Sequence, residues 1–245
     1  MMSTTQSNWT RFKDGLSWIL TEGRATGSLC TAELRKIAGL GVNIVQVYSD
    51  AKCYLKGIFN ALEAFRTDRD SEGWRLQNAA DSAELLEFGV STGQDSPLDA
   101  QGDYPSATAV TSELLAHTEA LQVLFQGEHP IMVPIRPTDK YKLRFFVGDA
   151  SRKGFGGSTQ YPDGLVSSRE GLWDPEFSEG GSNLREAQNQ VNHLIAKIRA
   201  GFHDVCEVWA ATDNSVWSAV WNKGLSSARH LFYLVLVLKQ EARKH

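Results

Sequence analysis

Apolar residues recur at three- and four-residue steps in two stretches near the start of the chain. Leu34, Ile37, Ala38, Val42 and Val45 predict a helix capped by Thr31. After Tyr48-Ser49-Asp50, the set Leu55, Ile58, Phe59, Leu62 and Phe65 predicts a second, so residues 28–65 read as a helical hairpin. Between residues 66 and 103 the pattern weakens to one expected helix near Ala79 to Phe88, followed by a Gly-, Ser-, Asp- and Pro-rich loop. Thr111 opens another helical stretch that ends near Gly127, with Leu114, Leu115, Thr118, Leu121 and Leu124 on one face. Pro134 and Pro137 exclude a helix interior from Ile131 to Thr138 and suit an extended connector.

From Lys142 the period changes. Leu143 to Val147 reads as a strand ending at Gly148-Asp149, and Gly154 to Tyr161 as a second strand after a glycine-rich turn. Pro162-Asp163-Gly164 signals another turn, and Leu165 to Trp173 the third strand of an antiparallel meander. A helix from Leu184 turns Ala187, Val191, Leu194, Ile195 and Ile198 inward. Cys206 to Ala211 is a short apolar strand, followed by helices over Ser215 to Trp221 and Ser227 to Glu241. The expected class is mixed α/β, with three regions: a helical one over 1–104, a helix and proline connector over 105–141, and an α/β domain over 142–245.

Composition adds three constraints. With 42% hydrophobic and 22% charged residues the 245-residue chain is built to fold, and a net charge of -4 excludes a histone-like basic coat. Cys30, Cys53 and Cys206 lack CxxC spacing, which suits a reducing compartment. The polar start and the shortness of the most apolar run, Leu231 to Leu238, argue against a signal peptide or membrane span. The expectation is an intracellular protein, cytoplasmic or nuclear, with no membrane partner.

Candidate chemistry lies in three acidic residues. Asp149 ends the first strand of the α/β region, Glu186 lies at the start of its first helix, and Asp213 follows its fourth strand. If a helical crossover sets the fourth strand beside the first, both aspartates emerge at one end of the sheet and the helix aims Glu186 between them. Such a carboxylate set suits Mg²⁺ or Mn²⁺, and two ions about 4 Å apart can serve phosphodiester hydrolysis without a nucleophilic side chain.

The stretches Phe146-Val-Gly-Asp149-Ala-Ser151 with Gly154-Phe-Gly-Gly157, then Ser182-Asn-Leu-Arg-Glu186, then Ala211-Thr-Asp213-Asn214 resemble the first three motifs of retroelement ribonucleases H. Upstream, Leu34-Arg-Lys-Ile-Ala-Gly-Leu-Gly41, Val47-Tyr48 and Leu55-Lys-Gly-Ile-Phe59 resemble the thumb of a reverse transcriptase. Thr111 to Gly127 is similar to the helix leading into the nuclease of tyrosine-recombinase (DIRS) type retroelements. The resemblance implies a ribonuclease H-like domain with Asp149, Glu186 and Asp213 as metal ligands, acting on the RNA strand of an RNA/DNA hybrid within a reverse transcriptase polyprotein. It also implies a fifth strand and a fourth carboxylate, and a chain stopping at Lys239-Gln-Glu-Ala-Arg-Lys-His245 is expected to lack both.

Plainer readings stand beside these. Asp149 and Asp213 could be turn formers or caps, and Asn183 to Glu186 has capping-box spacing. Trp209, Trp217 and Trp221 are read as core before nucleic-acid platforms. Lys223 and Arg229 are candidates for phosphate contact, Asn189 and Asn214 for substrate contact, and His193 reads as an exposed helix residue. A non-catalytic nucleic-acid-binding scaffold and an integrase-like member of the superfamily remain as alternatives.

Overall fold

A computed structural model of the protein describes residues 3–76, 104–132, 142–175, 180–201 and 206–244. The expected helix at 79–88, the loop after it and both connector prolines lie outside them. The described residues fall into two units, 3–76 with 104–132 and 142–244.

The first unit opens with α1 (Gln6–Thr26), where the sequence reading assigned nothing. Its inner face carries Trp9, Phe12, Leu16, Ile19 and Leu20, and Gly27 closes it at φ 69°, a left-handed value that costs glycine little. Next come β1 (Ser28–Cys30), α2 (Thr31–Val45), a 3₁₀ turn (Ser49–Tyr54) and α3 (Leu55–Glu63). Thr31 is not the cap expected of it: β1 pairs with β2 (Ala107–Ala109), which pulls the Thr31 hydroxyl inward to within 2.8 Å of the Thr108 hydroxyl. Val42, Phe59 and Phe65, expected inside, stay at the surface.

Helix α4 (Ser112–Leu124) is capped by Thr111, whose hydroxyl accepts from the Leu114 amide at 3.0 Å. It packs on α1 and α3 through Leu114 and Leu121, followed by buried Phe125. The described part of the expected 105–141 region, 105–132, lies in the same unit as residues 3–76.

In the second unit, β3 (Lys142–Ala150), β4 (Gly154–Gln160) and β5 (Val166–Leu172) form an antiparallel meander, and β6 (Cys206–Ala211) lies parallel to β3 on its other side. Gly164 takes φ 85° in the β4–β5 turn, where Asp163 accepts from the Leu165 amide. Helix α5 (Ser182–Arg199) connects β5 to β6, and α6 (Ser215–Lys223) and α7 (Arg229–Lys244) follow. Ala187, Val191, Trp217, Val220, Leu231, Leu234, Val235 and Leu238 make one core among these helices, each large side chain contributing about 1.5–3 kcal/mol by leaving water. Phe146, fully buried, anchors β3 on the α5 side, and by strand alternation Phe145, Val147 and Asp149 face the other, exposed side.

Candidate metal centre

The β3–β6 register pairs Val147 with Ala211, so Asp149, two residues on in β3, and Asp213, two residues past the end of β6, lie at the same end of the sheet. The parallel pairing produces this coincidence, since an antiparallel β6 would send Asp213 to the opposite end. Asp149 is the last residue but one of β3, and its Oδ1 accepts from the following amide, Ala150 N–H, at 2.7 Å. Asp213 lies in the short link between β6 and α6, immediately before Asn214, which caps α6 by accepting from the Trp217 amide at 2.8 Å.

Glu186 enters from α5. That helix begins at Ser182, so Glu186 sits one turn inside it, and the Ser182 hydroxyl donates to Glu186 Oε1 at 2.8 Å. The capping-box reading is corrected: the N-cap is Gly181, which has no side chain to cap with, and Asn183 Oδ1 instead accepts from the Asn214 side-chain Nδ2 at 2.8 Å. One oxygen each from Asp149, Glu186 and Asp213 all lie within 4.8 Å of one another. Glu186 Oε2 is buried without a hydrogen-bond partner among the described residues. A buried carboxylate oxygen left unpaired is costly, and three anionic groups this close repel, so the set fits a hard divalent cation as counter-charge.

A shallow groove of about 560 Å³ runs from Asp149 past Ser151 and Phe155 to Glu170 and Leu172. It is open at Gly156, the cross-strand partner of Asp149, where an added Cβ would meet nothing closer than 3.9 Å, whereas the Phe155 ring covers Gly171.

The remaining candidates divide by burial. Lys223, in the last turn of α6, and Arg229, at the start of α7, are exposed. Asn189 and Asn214 are 4% and 8% exposed, and their amides are occupied within the fold. His193 corrects its reading as an exposed helix residue: it is 2% exposed, stacks on Phe146 with ring centroids 4.2 Å apart, and lies 2.6 Å from the Thr159 hydroxyl. Burial, reinforced by Lys197 and Arg169, lowers its pKa to about 4. Trp217 is core, as expected, but Trp209 is 57% exposed because alternation places it beside Phe145 on the open side of the sheet, and Trp221 also reaches solvent.

Sequence reasoning gave no role at the site to Ser182 or Asn183, which it named only in the motif and capping readings, and did not name Gln190. Their signal was present as the steps 182–186, 183–186 and 186–190, which place polar side chains along the stripe of α5 that carries Glu186.

No family model and no curated protein matches the chain. The structure search returns a foamy viral protease-reverse transcriptase in complex with double-stranded DNA, 13% identical, with 96% of this chain and 33% of that chain covered and a TM-score of 0.31. This chain thus spans about a third of that protein's length. Among the described residues no helix is long and apolar enough to cross a membrane.

Proposed function

We propose that the chain carries a ribonuclease H-type endonuclease that cleaves the RNA strand of RNA/DNA hybrids, in the cytoplasm or nucleus, as the nuclease part of a reverse transcriptase. The observation that carries this reading is the convergence of Asp149, Glu186 and Asp213 within 4.8 Å at one end of a sheet that combines an antiparallel meander with a parallel fourth strand. The mixed α/β order is consistent with that nuclease class. The tyrosine-recombinase assignment draws no support from the comparison, which names a foamy viral protein.

Asp149, Glu186 and Asp213 would hold Mg²⁺ or Mn²⁺. Bound there, such ions supply an activated water and stabilise the departing oxygen of a phosphodiester. The side chains contribute the rest. Ser182 holds one oxygen of Glu186 by hydrogen bonding, and the other is buried without a hydrogen-bond partner among the described residues. The groove beside Asp149, open at Gly156, would admit a nucleic-acid backbone that a bulkier residue there would exclude. Lys223 and Arg229 are the exposed cations assigned to phosphate contact, and an A-form-like hybrid is recognised through its shape and 2′-hydroxyls.

The test is cleavage of an end-labelled hybrid with Mg²⁺, against single-stranded RNA and double-stranded DNA of the same sequence. Hybrid-selective cuts in the RNA strand, abolished by EDTA, are expected. Binding of hybrid without any cleavage would transfer the assignment to a non-catalytic scaffold.

A further inference from the structure

Helix α5 delivers one carboxylate of the centre, and it also grips the backbone that carries the other two. Asn189 Nδ2 donates to the main-chain carbonyl of Asp149 at 2.9 Å and to that of Gly156, the cross-strand partner of Asp149, at 2.8 Å. Gln190 Nε2 donates to the carbonyl of Ala211 at 3.0 Å, two residues before Asp213, while its Oε1 accepts from the Trp217 indole at 2.6 Å. Asn183 Oδ1 accepts from Asn214, the residue after Asp213, at 2.8 Å. One helix therefore touches the main chain or the immediate neighbour of both aspartates through three amide side chains.

We propose that Asn183, Asn189 and Gln190 are positioning residues that set the separation of the three carboxylates for cation binding, an inference that rests on the metal-site reading above. The physical reason lies in what the apolar core cannot do. Ala187 and Val191 hold α5 to its neighbours, but apolar contact is non-directional and tolerates a small slide of helix against sheet. A metal centre tolerates only about 0.2 Å in its ligand distances. Hydrogen bonds from buried amides to fixed carbonyls are directional, and at 4% exposure Asn189 and Gln190 have no water to exchange with. Gly148 shows how closely the fit is made, because a Cβ there would lie 3.0 Å from Asn189 Nδ2 and 2.6 Å from Phe146. The amide is also the suitable chemistry: a carboxylate at these positions would add to the negative cluster, and a cation would compete with the metal.

The test uses Mn²⁺ alone as the probe, measured by calorimetric titration of the full chain, with far-UV circular dichroism and metal-free melting recorded for every variant. The comparison set is the unaltered protein, Asn189→Ala, Asn183→Ala and Gln188→Ala. Gln188 serves as the control because, among the described residues, its side-chain amide bonds to Asn192 of the same helix, at 2.7 Å. Asn189→Ala should weaken Mn²⁺ binding by about 10- to 100-fold and Asn183→Ala by several-fold, whereas Gln188→Ala should stay within about twofold. If Asn189→Ala fails to fold, Asn183→Ala, half-buried and making a single bond here, decides the matter. Folded Asn183→Ala and Asn189→Ala proteins that bind Mn²⁺ as tightly as the unaltered chain would overturn the positioning role and leave the metal site standing. So would a loss of affinity that follows melting temperature equally in all three variants. An unaltered protein that binds no Mn²⁺ would overturn the metal-site reading itself, and the positioning role with it.

Discussion

His193 on α5 and Thr159 on β4 are hydrogen-bonded at 2.6 Å, inside the layer between helix and sheet. The contact holds α5 to the meander one helical turn beyond Asn189, and the burial there, reinforced by Lys197 and Arg169, commits the imidazole to its neutral form.

A pH dependence of stability follows from the sign of that commitment. The pKa of His193 falls to about 4 in the folded chain, against 6.5 when unfolded, so below pH 6.5 the unfolded chain takes up a proton that the folded one refuses. Stability is lost as pH falls from about 6.5 to about 4. Buried His117, lowered chiefly by desolvation, acts in the same direction in the first unit. Between neutral pH and about pH 4.5 the His193 contribution is roughly 2 to 3 kcal/mol, and urea unfolding of His193→Gln should show a pH-dependent loss smaller by that amount. An identical loss in the variant would show that His193 does not titrate as inferred.

Asp213→Asn separates chemistry from folding. The amide matches the carboxylate in size but lacks its charge, so hybrid cleavage should drop by more than about 100-fold, beyond the loss usual for outer-shell partners of a metal site. Without divalent ions the variant should melt at the same temperature or higher, because one of three mutually repelling charges has been removed. A large fall in melting temperature would instead assign Asp213 a structural role.

Glu241 on α7 receives Arg199 Nε at 2.6 Å and Lys244 Nζ at 3.1 Å, and these bonds lower its pKa to about 2. A depressed carboxylate stabilises the fold above its unfolded value of 4.5, and that contribution disappears as pH falls from there towards 2. Glu241→Gln should therefore melt below the unaltered protein at neutral pH, with the gap closing on acidification. A gap constant down to about pH 2 would show that the ion pair contributes nothing.

In the first unit, the Trp74 indole donates to both oxygens of buried Glu113, at 2.9 and 2.7 Å. Trp74→Phe keeps an aromatic ring but deprives a buried carboxylate of this donor, at a cost of about 1.5–3 kcal/mol. The urea midpoint of the first unit's transition should fall accordingly, while the second unit's should not move. A shift below about 0.5 kcal/mol would mean that Glu113 is satisfied without the indole.

What could be read from the sequence was whatever depends on neighbours along the chain. The apolar run from Leu143 to Val147 and turn chemistry at Pro162-Asp163-Gly164 placed the strands, and the steps Leu114, Thr118 and Leu121 placed α4. The positions of Asp149 and Asp213 at strand ends and of Glu186 early in a helix followed from those elements. Helix α1 was equally legible, because Trp9, Phe12, Leu16, Ile19 and Leu20 have helical spacing, but the polar opening of the chain hid it.

Tertiary structure alone decided how each element turned and what it met. The strand-helix-strand order made β6 a neighbour of β3 only on the condition of a helical crossover, and it was the folded register, Val147 beside Ala211, that brought Asp149 level with Asp213. The rotation of α5 buried Asn189, Gln190 and His193, polar residues whose types suggest a surface, because each found a carbonyl, hydroxyl or indole partner supplied by a distant part of the chain. The same packing left Trp209 exposed although its type suggests a core. Hydrophobic periodicity reports how much of an element is apolar, whereas the burial of a polar side chain depends on a partner's position in space, and that position exists only once the chain has folded.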